Sequence, residues 1–215
     1  MIEKDYILRM IALLSAALAK ILLKRELKLY DEAKVEIQKT SKLILGISYD
    51  VLDNISDADI IKLFKPDSDI NAEKCYVIAE LTREAGEISE SLGELEESTA
   101  RYEKALSLYL ELFVNSNVHD RSELGNRIEL MIDKLKHFEI DTALEEKIFK
   151  FYDKTGRYSK AEDVLFHLIE KDKTFIETGI AFFKSLSQKS EAELQKGNLS
   201  NLEVEESLRM LINRR

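Results

Sequence analysis

The 215-residue chain has no tryptophan, one proline, one cysteine and seven glycines. So little punctuation leaves nothing to divide it into the short strands of a sandwich or barrel, and an all-α fold with long helices is the expectation. The single thiol, Cys75, has no partner for an internal disulfide. With no signal-peptide pattern at the amino end, this predicts a cytoplasmic protein. No run of five basic residues occurs, and the net charge of −9 opposes attraction to phosphate backbones, so no nucleic-acid partner is expected. The most apolar stretch, Ile11 to Leu23, is shorter than the roughly 20 residues a bilayer requires and is interrupted by Lys20. No transmembrane segment is expected, and an interfacial helix here would carry little basic charge on its polar face.

Chemical motifs are also scarce. His119, His137 and His167 fall on separate predicted elements without ligand spacing, which argues against a metal site. Asp67-Ser68-Asp69-Ile70-Asn71 imitates the start of a calcium loop, but Ala72 stands where the turn glycine belongs and Ile78 where the closing glutamate belongs. Capping of the next helix by Asp69 or Asn71 is the simpler reading. Gly86 and Gly93 have no strand before them and no Gly-Lys-Ser/Thr after them, so they are packing glycines rather than a phosphate loop. Cys75 lies among Tyr76, Val77, Ile78 and Ala79 and reads as a buried structural thiol. The chain is expected to be no enzyme and to hold no cofactor or metal.

What is present is helical periodicity. Met1 to about Leu29 reads as one long helix, with an apolar stripe wide enough to need cover on more than one side. Tyr30 to about Leu45 makes the second arm of a hairpin, closed by Gly46. Two short helices follow, the second opened by Ser56 and Asp59, and Lys65-Pro66-Asp67 stops it. Helices are then expected over Ala72 to Leu92 and Glu96 to about Val114. After a loop at Asn115-Ser116-Asn117, another starts at Asp120. Others run from Asp141 to Lys154, from Ser159 to Lys171 and from Thr174 to Gln195, and Ser200 with Glu203 caps a last short one. The total is about ten. These divide into an amino-terminal hairpin (1–46), a short-helix insert (47–71), a core (72–175) and carboxy-terminal helices (176–215) within one domain.

An internal comparison adds more. Leu92-Gly93-Glu94-Leu95-Glu96-Glu97-Ser98, with Tyr102 and Ala105 beyond it, resembles the turn and second helix of a tetratricopeptide repeat. Gly93 would permit the tight turn and Leu95 would pack back on the first helix. Ser98 and Ala105 would let the helices approach while Tyr102 fills the gap between them, and Gly86 sits where the first helix of such a repeat also wants a small residue. The arrangement returns at Gly156-Arg157-Tyr158 with Ala161, Leu165 and Leu168. It returns again at Tyr30, Ala33, Ile37 and Thr40, where Lys28 takes the place of the glycine. Tyr30, Leu95 and Tyr158 are 65 and 63 residues apart, nearly twice the family's period of about 34. The resemblance implies a superhelical stack of antiparallel hairpins. Asp5-Tyr6-Ile7-Leu8-Arg9-Met10-Ile11, joined to this layout, is also similar to a family of small bacterial helical proteins without a known activity.

In tetratricopeptide proteins the first helix of each repeat lines a concave groove. Carried over, this places Glu80, Arg83, Glu87 and Glu90, and then Glu146, Lys150, Asp153 and Lys154, on a charged surface for a peptide or helix of a partner protein. A protein-interaction module or scaffold is the expected function. The alternative is a homodimeric structural or regulatory protein that associates through Ile11, Leu14, Leu18 and Leu22.

Overall fold

The computed structural model describes residues 2–65, 68–115 and 121–214. Pro66, Asp67, Ser116, Asn117, His119 and Asp120, on which some of the expectations above fall, lie outside this set. Among the described residues there are twelve α-helices and no strand. They form two compact units, Met1–Glu139 and Ile140–Arg215, whose boundary falls within the segment 72–175 read above as one core.

The first unit contains α1 (Ile2–Glu26), α2 (Tyr30–Leu45), α3 (Tyr49–Asn54), α4 (Asp57–Leu63), α5 (Asp69–Leu92), α6 (Leu95–Asn115) and α7 (Arg121–Leu135). The second contains α8 (Thr142–Lys154), α9 (Tyr158–Lys171), α10 (Phe175–Leu186), α11 (Glu191–Lys196) and α12 (Asn201–Arg214).

One turn is built three times. Lys28, Gly93 and Gly156 have φ of 59°, 78° and 73°, the left-handed conformation that ends a helix by letting its last carbonyls find partners. In each turn the following amide donates to the carbonyl five residues back: Leu29 to Lys24 at 2.8 Å, Glu94 to Ser89 at 2.9 Å and Arg157 to Tyr152 at 2.9 Å. The next helix starts two residues after the left-handed one in all three hairpins. Counting from that residue, the fifth position holds Ala33, Ser98 and Ala161. The ninth holds Ile37, Tyr102 and Leu165, and the twelfth Thr40, Ala105 and Leu168. All nine are buried. Where the ninth is the large Tyr102, the facing first helix carries Gly86, and a Cβ there would lie 2.7 Å from the tyrosine ring. Where it is Ile37 or Leu165, the matching first-helix residue is the buried Ile21 or Phe149. Bulk thus passes from one arm of the hairpin to the other while the gap stays filled.

The first unit's core lies between the α1/α2 hairpin and α5. It gathers Met10, Leu14, Ile21, Ile37, Val77, Leu81 and Ile88 among others, each side chain contributing roughly 1.5–3 kcal/mol through burial. On its other side α5 packs against α6, and α6 against α7. Two short helices join the edge. Tyr49 of α3 donates to Asp53 at 3.0 Å, and Arg101 of α6 holds that carboxylate at 2.7 Å. In the second unit α8 pairs with α9, and α10 with α9 and α12.

Several expectations need correction. The single helix expected from Thr174 to Gln195 is two, because Ser187 to Ser190 leaves the helix and Ser190 starts α11 with a reciprocal cap to Glu193. The last helix is not short but runs for 14 residues. Ser68, rather than Asp69 or Asn71, caps α5 by accepting from the Asn71 amide at 3.3 Å. Leu95, expected to pack on the first helix, is 58% exposed; as the first residue of α6 it lies beyond the stretch covered by α5.

Candidate functional site

The four α5 residues expected to line an open groove join one ion network in the first unit, with Glu80 and Arg83 buried, Glu87 partly buried and Glu90 exposed. Glu80 is 0% and Arg83 7% exposed. One carboxylate oxygen of Glu80 accepts from the Tyr109 hydroxyl at 2.8 Å and lies 3.0 Å from the Arg127 Nε, and the other accepts from Arg83 at 2.9 Å. Arg83 also donates to Glu84 at 2.6 Å, and Glu84 accepts from Arg25 of α1 at 2.9 Å. Arg25 reaches Glu87 at 3.6 Å. Lys134 of α7 reaches Glu87 at 3.4 Å and also pairs with Glu90, which accepts from the Tyr102 hydroxyl at 2.8 Å. Read in order, Arg127, Glu80, Arg83, Glu84, Arg25, Glu87, Lys134 and Glu90 alternate in sign. Four acids of α5 are answered by one cation of its own, one of α1 and two of α7.

The electrostatics follow from burial. Removing Arg83 from water would by itself disfavour its charge, but Tyr109, Glu80 and Glu84 more than offset this and hold the guanidinium above its ordinary range. Burial, reinforced by Glu80, drives the Tyr109 phenol far up. For Glu90, burial opposes ionisation, yet hydrogen bonds from Lys134 and Tyr102 keep the carboxyl below its usual range. A buried charge network of this kind adds little net stability over apolar packing, but it penalises any arrangement that leaves one member unpaired. It therefore fixes how α1 and α7 dock on α5.

The second expected group stays at the surface. Glu146 and Lys150 form an exposed pair one helical turn apart at 2.6 Å, and Asp153 and Lys154 are exposed. Burial raises the Asp153 carboxyl. The buried acid on α8 is Glu145, next to Glu146 in the sequence. It accepts from Lys171 at 3.0 Å and lies 2.9 Å from His167 Nδ1, tying α8 to α9. His167 is itself half-exposed at that contact.

A small cleft of about 90 Å³ is lined by α2, α3, α5 and α6. Its groups satisfy one another: Gln38 bonds Asp50 and the Tyr49 amide, while Asp53 takes Tyr49 and Arg101. It holds α3 in place. Cys75 is fully buried, and burial, with Glu111 nearby, pushes its thiol up to about 12. Among the described residues no group of three His, Cys, Asp or Glu side chains could hold a metal.

The remaining surface feature is α1. Lys4–Glu26 is long and apolar enough to cross a membrane by length and composition, a longer run than Ile11 to Leu23, and only 22% of its apolar window is buried. One side, with Met10, Leu14, Ala17 and Ile21, is in the core. The opposite side leaves Leu8 55%, Ile11 41%, Leu22 42% and Leu23 56% exposed, with Ala12, Ser15, Ala16 and Ala19 exposed between them. Of the four residues expected to associate, Ile11 and Leu22 lie on this open side. Leu14 is in the unit's own core and Leu18 packs partly against it, because those two positions lie about a third of a turn around the helix from the open face. Reading the stripe as Leu8, Ala12, Ser15, Ala19 and Leu22 at spacings of four and three would have found the free side from sequence.

Fold and surface together define an all-helical protein of repeated hairpins, stapled internally by charge and apolar on one outer helix. The chain belongs to a family of unknown function, DUF6483, whose model matches residues 1–215. Comparison with curated proteins and with solved structures returns no match.

Proposed function

We propose that this chain is a tetratricopeptide-like, non-enzymatic protein-interaction module, and that its docking surface is the open side of α1 rather than a charged groove on α5. Three hairpins with the same turn, the same start of the second helix and the same buried positions support the repeat reading. The docking reading rests on one observation: α1 presents about four turns of apolar side chains to the outside while every charge expected to form the α5 groove is paired within the unit. Exposed apolar patches of this extent mark interaction sites in soluble proteins.

The test is quantitative capture of partner proteins by the purified chain and by Ala12→Glu, which puts a charge in the middle of the exposed stripe. Proteins retained by the parent and lost with Ala12→Glu are the expected result. An unchanged set of partners would exclude α1 as the docking surface. The α8 face is a second site for the charged-peptide reading, since Glu146, Lys150, Asp153 and Lys154 remain exposed there. Loss of a partner with Lys150→Glu alone would move the binding surface to α8.

A further inference from the structure

We infer that the occupant of the open α1 face is the same face of a second copy of this chain, crossed antiparallel so that the two helices meet at Ser15 and Ala16. The inference rests on the reading of α1 as a docking face and goes further by naming what docks.

Three features point to self-pairing. The first is shape. Large exposed side chains, Leu8 and Ile11 towards one end and Leu22 and Leu23 towards the other, flank an exposed centre of Ala12, Ser15, Ala16 and Ala19. The order is close to symmetric about the centre. In an antiparallel crossing Leu8 of one copy meets Leu23 of the other, Ala12 meets Ala19, and Ser15 meets Ala16. Small side chains at the crossing allow close approach of the axes, and the leucines close over both ends.

The second is charge. The exposed stripe itself is uncharged from Leu8 to Leu23 apart from Arg9 and Lys20 at its margin. Lys20 and Lys24 are ion-paired to Glu36 at 3.5 and 3.7 Å, and Arg25 to Glu84 at 2.9 Å, so the basic residues in the second half of α1 are answered within the unit. A membrane-surface helix keeps such residues free for lipid phosphates. Parallel crossing would set Lys4, Arg9 and Lys20 each beside its own copy.

The third is area. From Lys4 to Glu26 the stripe is about 33 Å long and about 10 Å wide, giving about 330 Å² per copy, less than half of the roughly 800 Å² per partner of a standard stable interface. The pairing is therefore a weak and reversible one.

Sedimentation equilibrium from about 1 to about 300 µM should show reversible doubling of the 24.8 kDa chain. Ala12→Glu, and independently Ala19→Glu, should weaken the association at least about tenfold with helix content unchanged by circular dichroism. Leu43→Glu, at an exposed site on α2 off the stripe, should leave it unchanged. Under oxidation, a mixture of Leu8→Cys and Leu23→Cys chains should form a covalent dimer that neither forms alone, Cys75 being buried and out of reach. A parent chain that stays monomeric throughout overturns the inference. If Ala12→Glu still loses captured proteins, the docking face stands with another occupant; if it loses none, that reading falls too. Monomeric protein that floats with phosphatidylglycerol–phosphatidylcholine vesicles through α1 overturns it in favour of a bilayer surface. Cross-linking of Leu8→Cys with itself overturns the antiparallel geometry.

Discussion

Helix α5 carries five charged residues between Glu80 and Glu90, yet 15 of its 24 residues are buried. Helix α1 is the most membrane-like segment of the chain by composition, yet only 22% of its apolar window is buried. Burial here follows position in the stack more than polarity. α5 packs against α1 and α2 on one side and α6 on the other, and its charges reach onward to α7, so whatever it carries must be satisfied within the protein. α1 has neighbours on one side only. A charged side chain in the middle of a stack becomes a staple, and an apolar one at its edge becomes a contact surface.

The comparison breaks first at Arg83. Arg83→Ala leaves Glu80 and Glu84 buried without their central cation, and should cost about 3–5 kcal/mol, read as a lower urea midpoint of the first unit. An unchanged midpoint would mean that the α5 charges are not structural.

Glu73 sharpens the same point through pH. It is buried on α5, and burial raises its carboxyl to about 7. The folded state therefore holds a proton that the unfolded chain gives up near pH 4.5. The associated stability is present below that value and is lost as pH rises through about 7. Glu73→Gln should flatten this slope, gaining up to about 3 kcal/mol at pH 8 and nothing at pH 4, measured by urea denaturation at the two pH values.

Gly86→Ala places a methyl group against the Tyr102 ring and should cost about 1–3 kcal/mol. Combining it with Tyr102→Leu should recover part of the loss, because the two sites share one gap; additive losses would argue against the exchange of bulk between hairpin arms. The smallest effect is expected on α1. Leu23→Ser should change monomer stability by no more than about 0.5 kcal/mol in the same denaturation assay, despite removing a large apolar side chain. A loss of several times that would place Leu23 in a core.

Much of the fold was legible because its signals are local. Left-handed positions at Gly93 and Gly156, and even the substitute at Lys28, follow from turn chemistry, and the buried Ala33, Ser98 and Ala161 follow from their spacing after it. The Ser190 cap was equally local and shares the Ser-x-x-Glu pattern of Ser200 and Glu203, but helical periodicity ran across it and hid the break. The ion network was not legible. Periodicity places Glu80, Arg83, Glu87 and Glu90 along one side of α5, but their partners from other helices are Arg25, Arg127 and Lys134, between 44 and 62 residues away along the chain. The one available signal was that apolar residues occupy most sides of α5 between Ala72 and Ile88, as expected of a helix covered all round.

The amino-acid sequence by itself determined that the chain is helical, where its hairpins turn and which small residues let their arms approach, since each of these depends on backbone sterics within a few positions. Only the tertiary structure decided which side of each helix is inside. That choice requires neighbours brought from distant parts of the chain, and it turned the charged side of α5 inward and left the apolar side of α1 facing out.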